Sequence, residues 1–322
     1  MVNLSSQERD KQSIISSVIS IARPLHWIKN LAVFAAILLS GLLFEKGLLG
    51  KAFLGFIAFN LATSATYIIN DVFDAKLDRL HPRKKFRPIA SGSLPIGFAL
   101  FEALILGLTA LAIAAPLNYL FFLTVIGYIL LQLLYSAGLK NIPTLDILII
   151  ATGFILRVYA GAFVIDAHLS VWFLLCVVST ALFLASGKRR AELNLIIQTA
   201  KITRTSLERY KKELLNSYVT MFGNASWMSW SLFTFFESPK ASLPVWLVLA
   251  ELSRTTTINK LLMATIPIVI FGIMRYEALI FEGRSETPEK ILLTDKMLLV
   301  SIGLWVIMVY WIIYSGASIL GV

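Results

Sequence analysis

Apolar residues fall in long runs along this chain, and polar residues gather in the short stretches between them. Windows of about 20 apolar residues match the length that a helix needs to cross a bilayer. They predict nine spans, at roughly 28–44, 48–69, 94–115, 117–136, 144–165, 169–187, 216–236, 258–281 and 295–319. The first is short, and Pro267 interrupts the eighth. No soluble domain or low-complexity linker fits between them. The expected fold class is therefore all-α: a polytopic membrane helical bundle of about nine transmembrane helices. A single domain covers 28–319, and a cytoplasmic segment with an interfacial helix covers 1–27.

Composition narrows the class further. Of 322 residues, 57% are hydrophobic and 15% charged, with a mean hydropathy of +0.78. Soluble proteins run near ~45–50% apolar and ~25% charged residues. Disorder needs the opposite composition, and a soluble enzyme this apolar would expose large patches to water. Cys176 is the single cysteine, so no internal disulfide forms, and His26, His81 and His168 lie too far apart in the sequence for a zinc cluster. No cleavable signal peptide is expected. The first 13 residues are polar, and the apolar stretch that follows is broken by Ser16, Ser17 and Ser20.

A net charge of +10 changes the picture from apolar to oriented. Nucleic acid is one partner for a basic chain, but positive charge collecting on the cytoplasmic side of spanning helices explains the excess better. With the N-terminus inside, the inner segments carry 23 Lys and Arg and the outer ones five, with Arg157 left inside a span. That split predicts a multi-pass protein of the inner (plasma) membrane, with the C-terminus outside. Cytoplasmic active-site loops fall at 70–93, 137–143 and 188–215. Arg157 is the only base that the predicted spans bury, and an intramembrane arginine points to function by default, with an acid or a phosphate as partner. Asp146 lies three helical turns before it on the same face; a structural Asp–Arg pair is the other reading.

The order of charges carries the candidate chemistry. After the second span come Asn70, Asp71, Asp74 and Asp78, on one helical stripe by their spacing. Carboxylates so aligned repel unless a cation or base compensates them, and Mg²⁺ commonly bridges such oxygens to a substrate phosphate. Arg79, His81, Arg83, Lys84, Lys85 and Arg87 follow at once. Acids beside a surplus of bases suit a metal-bound polyphosphate, whereas a positive-inside loop on anionic lipid explains the charge but not its order. Further clusters stand at Tyr135, Ser136, Lys140 and Asn141, at Lys188, Arg189, Arg190 and Glu192, and at Arg23, His26, Trp27 and Lys29. Residues 190–215 read equally as an interfacial helix or a connector. No Ser/His/Asp arrangement or phosphate-cradling glycine loop appears.

These motifs resemble the UbiA superfamily of intramembrane prenyltransferases. The resemblance rests first on Asn70-Asp71-x-x-Asp74-x-x-x-Asp78 after a second span. Arg23-Pro24-x-x-Trp27-x-Lys29-Asn30, the run from His81 to Gly92, Tyr135-Ser136 with Leu139-Lys140-Asn141, Leu156-Arg157 and Gly187-Lys188-Arg189 with Glu192 resemble its decaprenyl-phosphate phosphoribosyltransferase branch. Superfamily members carry a second Asp-rich motif after the sixth span; here that position reads Lys188-Arg189-Arg190-Ala191-Glu192. The resemblance implies transfer of phosphoribose from phosphoribosyl diphosphate to a polyprenyl phosphate, with Mg²⁺ held by Asn70, Asp74 and Asp78. Asp71, Asp74 and Asp78 are the implied catalytic residues. Lys29, Arg83, Lys84, Arg87, Tyr135, Lys140, Lys188 and Arg189 are the implied phosphoribosyl-diphosphate contacts. Lys29, Lys140 and Arg157 are the expected contacts of the lipid phosphate, with Asp146 and Glu192 in support. Prenyl transfer to an aromatic or lipid acceptor is the first alternative. An anionic-solute transporter is the second, and predicts charges spread through several spans. A homo-oligomer is compatible with all three.

Overall fold

A computed structural model describes residues 16–80, 84–199, 209–237, 256–282 and 294–314. Every regular element among the described residues is helical. A 3-10 helix, Pro24–Phe34, continues into α1 (Ala35–Leu39). Then follow α2 (Leu48–Asp78), α3 (Ile96–Ala114), α4 (Tyr119–Ala137), α5 (Leu145–Val164), α6 (Val171–Thr199), α7 (Lys212–Phe236), α8 (Ile266–Phe281) and α9 (Lys296–Tyr314).

Seven of the described helices are long and apolar enough to cross a membrane. They are α2 to α6, the stretch Lys260–Phe281 that contains α8, and α9. Two of the nine predicted spans differ. α7 is 25 residues long but is interrupted by Asn216, Ser217, Asn224, Ser226, Ser229 and Ser231, which lower its hydropathy. The first span is an eleven-residue 3-10 helix joined to a five-residue α-helix. At about 2.0 Å per 3-10 residue and 1.5 Å per α residue, the two still reach about 30 Å, the thickness of the hydrocarbon.

Local sequence explains the element ends. Asn118 caps α4, its side chain accepting from the amides of Leu120 and Phe121. Pro267 does not break a helix; it sits in the first turn of α8, where its missing N–H has no intrahelical acceptor in any case. Gly161 on α5 meets the 3-10 segment directly. A Cβ there would lie 1.9 Å from the Val33 carbonyl oxygen, so only glycine allows the two backbones to touch.

Burial sorts the helices. The span window of α2 is 61% buried and that of α5 is 56%, against 17% for α3, so α2 and α5 are central and α3 faces lipid. The central pair packs through small residues: Ala52, Ala58 and Ala62 on α2, and Ala160 and Ala162 on α5. α6 lies along α7 and α5, and α2 along α3. The helical residues before Arg23 hold Ile21 against Ile68, Ala75 and Ile89.

Candidate active site

α2 is 31 residues long, about 46 Å at 1.5 Å per residue, so it overruns a hydrocarbon layer of about 30 Å. Its last turns carry Asn70, Asp71, Asp74 and Asp78. The four do not act as one stripe. Helical positions advance about 100° each, which sets Asn70 and Asp74 about 40° apart and Asp71 and Asp78 about 20° apart. The structure divides them into those two pairs.

The first pair meets α4 and the turn after it. Asn70 donates to Asp74 Oδ2 at 3.1 Å. Ser136 donates to Asn70 Oδ1 at 3.2 Å. Lys140, from the 3-10 turn Leu139–Asn141, donates to Asn70 Oδ1 at 3.3 Å and to Asp74 Oδ1 at 2.5 Å. The second pair meets arginines. Arg87 Nη1 reaches Asp71 at 3.0 Å and Asp78 at 2.6 Å, and Arg23 pairs with the same oxygen of Asp71. Arg23 also lies over the Tyr67 ring at 5.1 Å, and the Tyr67 hydroxyl accepts from Lys29 at 3.5 Å. Lys84 opens a 3-10 turn, Lys84–Phe86, just before Arg87. Arg83 and His81 lie outside the described residues.

α6 does not end at residue 187 but continues to Thr199, carrying Lys188, Arg189 and Glu192 as helical residues. Arg189 is fully buried. Its Nε forms an ion pair with Asp146 at 2.6 Å, its Nη2 donates to Tyr135 at 2.8 Å, and its Nη1 bonds Glu192. Arg190, also buried, donates to Asn216 and Asn194 and stacks on Phe281.

The pairing of Asp146 with Arg157 is corrected. Eleven residues return both to one helix face but separate them by about 16 Å along the axis. Asp146 turns to Arg189 instead. Arg157 donates to Asn30 Oδ1 at 2.6 Å, to the Gly153 carbonyl at 2.5 Å and to Tyr128 at 2.8 Å. Nor is it the only base buried in the bundle, because Lys140, Arg189 and Arg190 are buried as well.

Two cavities adjoin these groups. A cavity of about 580 Å³ runs among the 3-10 segment, α1 and α5 to α9, and its lining is apolar (Phe154, Phe173, Trp230 and Trp305 among others) apart from Lys29 and Lys188 and a few hydroxyls. From Lys188 to Phe173 it follows α6 for about 22 Å, at 1.5 Å per residue. A polar pocket of about 330 Å³ lies among Arg23, His26, Asp71 and Arg87.

The donors suit magnesium in one specific way. Among the described residues no three His, Cys, Asp or Glu side chains form a ready metal cage. Asn70 Oδ1 and the Asp74 carboxylate converge beside Lys140, and both are hard oxygen donors. Mg²⁺ commonly takes one or two carboxylates and completes its shell with water and substrate phosphate. The pair fits a cation shared with a substrate, and Asp78 faces Arg87 rather than that point. Sequence reasoning passed over Ser136 as a partner of Asn70, Tyr67 beneath Arg23 and Lys29, and Tyr210, whose hydroxyl donates to Asp146 at 2.7 Å. Only the proximity of Ser136 to Lys140 along the chain hinted at any of these.

Long apolar helices around an apolar cavity with a charged end define a multi-pass membrane protein. Residues 30–190 match the UbiA prenyltransferase family, and the chain belongs to that family. It is similar to the decaprenyl-phosphate phosphoribosyltransferase of Corynebacterium glutamicum, 35% identical over 315 residues, 94% of this chain and 88% of that one. The protein of the same name from Mycolicibacterium smegmatis is 36% identical over 299 residues, 92% of each chain. Relatives of this kind over nearly the whole length make the chain a membrane transferase. The fold agrees. A UbiA homologue from Archaeoglobus fulgidus bound to DMAPP and Mg²⁺ superposes with a TM-score of 0.68 at 18% identity, over 92% of this chain and 99% of that one.

Proposed function

We propose that the enzyme transfers 5-phosphoribose from phosphoribosyl diphosphate to a polyprenyl phosphate, on the cytoplasmic side of the inner membrane. One observation carries the reading: the apolar cavity of about 580 Å³ has Lys29 and Lys188 in its lining. An isoprenoid tail matches the apolar length, its anionic head matches Lys29, and Lys188 matches a phosphate of the second substrate. The run at 188–190 supports phosphoribosyl transfer over prenyl transfer, because bases stand where a second acidic motif would hold metal, and Lys188 among them lines the cavity.

In this mechanism Lys29 and Lys140 draw the lipid phosphate toward the ribose. Lys84, Arg87, Lys188 and Arg83 hold the diphosphate and the 5-phosphate. A phosphate oxygen forms the new bond to ribose C1 while the bond from C1 to the diphosphate oxygen breaks, and the electron pair leaves with diphosphate. The nucleophile is already anionic, so alignment rather than a strong base supplies much of the rate. Asn70 and Asp74 would hold Mg²⁺, which when bound neutralises charge on the leaving diphosphate. Asp71 and Asp78, set by Arg23 and Arg87, orient the ribose hydroxyls. Arg157 contributes a buried positive charge through Asn30 rather than by contact. Tyr135 and Arg189, already joined to each other and to Asp146, support Lys140 from behind. Purified enzyme with labelled phosphoribosyl diphosphate, polyprenyl phosphate and Mg²⁺ should form a lipid-linked pentose phosphate. Absence of that product, with prenyl diphosphate consumed instead in the presence of an aromatic or lipid acceptor, would replace this reading with prenyl transfer.

A further inference from the structure

Lys140 is brought to Asn70 and Asp74 by a seven-residue connection, 138–144, between α4 and α5. Such a connection is loose unless its ends are fixed, and here one buried network holds both. At the α4 end, Tyr135 accepts from Arg189. At the α5 end, the Thr144 amide donates to the Tyr210 hydroxyl at 2.5 Å, and that hydroxyl donates to Asp146 at 2.7 Å. Asp146 closes the circuit on Arg189. Thr144 sits at φ 68°, ψ −46°, a conformation that a β-branched residue adopts only when its surroundings impose it. Tyr210 is the side chain bonded to the amide of that residue. Its ring is buried with Ile147, Ala151, Leu193 and Leu215, so the hydroxyl has a fixed address. Burial also raises its pKa above the ordinary phenol value, which keeps the donor proton in place.

We infer that Tyr210 is a positioning residue for Lys140: its hydroxyl locks the strained Thr144 turn and so fixes where the ammonium group meets Asn70, Asp74 and the substrate phosphate. The inference deepens the function proposed above and rests on it for the identity of the phosphate. Tyr210 contacts no reacting atom itself. It lies seventy residues from Lys140 in sequence, and no motif marks it.

The test is a double-mutant cycle with Tyr210→Phe, which keeps the buried ring and removes only the hydroxyl, and Lys140→Met, in the full chain in nanodiscs. Tyr210→Phe alone should lower kcat/KM about 10- to 100-fold, the usual consequence of a misplaced group. In the Lys140→Met background the same change should cost less than about 2-fold, because coupled residues are non-additive. Hydrogen exchange at the 138–146 amides, Thr144 above all, should be faster in Tyr210→Phe, with the amides of α2 and α3 exchanging as in wild type. Equal losses in both backgrounds, or unchanged exchange at Thr144, would overturn the inference. The same cycle read by Mg²⁺–diphosphate binding needs no turnover. If wild type makes no lipid-linked pentose phosphate yet the binding cycle closes and exchange changes, the function reading falls and the positioning role stands.

Discussion

Two arginines buried in the bundle, Arg189 and Arg157, solve the same problem in opposite ways. Arg189 is matched by acids, Asp146 and Glu192, with Tyr135 taking its remaining face. Among the described residues Arg157 is held by neutral acceptors, Asn30, Tyr128 and the Gly153 carbonyl, with Asn60 and Thr63 supporting Asn30 in turn. The first arrangement is a neutralised strut. The second gives each guanidinium nitrogen a partner and sets the charge over the Tyr128 and Phe154 rings but supplies no acid among the described residues, which is costly and so points to a role toward an anion. Their difference separates charge kept for architecture from charge kept for substrate.

Breaking the strut should have the larger effect on stability. Asp146→Ala leaves buried Arg189 with Glu192 as its remaining acid and takes the acceptor from the Tyr210 hydroxyl, and should cost about 3–5 kcal/mol, read as a fall in thermal stability in nanodiscs. Arg157→Met leaves only neutral groups behind and should cost about 1–3 kcal/mol, since its partners retain other bonds. That variant should instead raise the KM for polyprenyl phosphate more than it lowers kcat; a change in stability alone would make Arg157 a second strut. Tyr128→Phe removes one acceptor from Arg157 and should cost about 1 kcal/mol. Smallest of all, the double replacement Asp146→Leu with Arg189→Met should recover most of the stability lost by Asp146→Ala, because a well-packed apolar pair substitutes for a buried ion pair. Activity should not recover with it, since Tyr135 and Tyr210 lose the partners that hold the Lys140 turn.

The helices were legible in the sequence because lipid imposes one long apolar run per span. α2 to α6 begin and end near the expected limits, apart from the charged extensions of α2 and α6 past them, and α9 begins near its own, the expected end at 319 lying outside the described residues. Those extensions were unreadable from hydropathy, because a helix that leaves the hydrocarbon keeps its backbone pattern while its composition changes. The Asp-rich stripe was legible in kind but not in detail. Periodicity gave a shared face, and the drift of about 40° at each four-residue step then divided it between Lys140 and Arg87. Asp146 and Arg157 show the other limit: facing the same way is not being within reach. Tyr210 could not be found at all, since its partners come from elements that meet only in the folded bundle.

The most direct test concerns Asp74, where Asn70, Lys140 and the proposed cation meet. Wild type and Asp74→Asn, shown equally folded by their melting curves, should be compared for Mg²⁺-dependent transfer of labelled phosphoribose to polyprenyl phosphate. Wild type should form the lipid-linked product and Asp74→Asn should form none above background. Equal product from both would contradict the site built here around Asn70, Asp74 and Lys140.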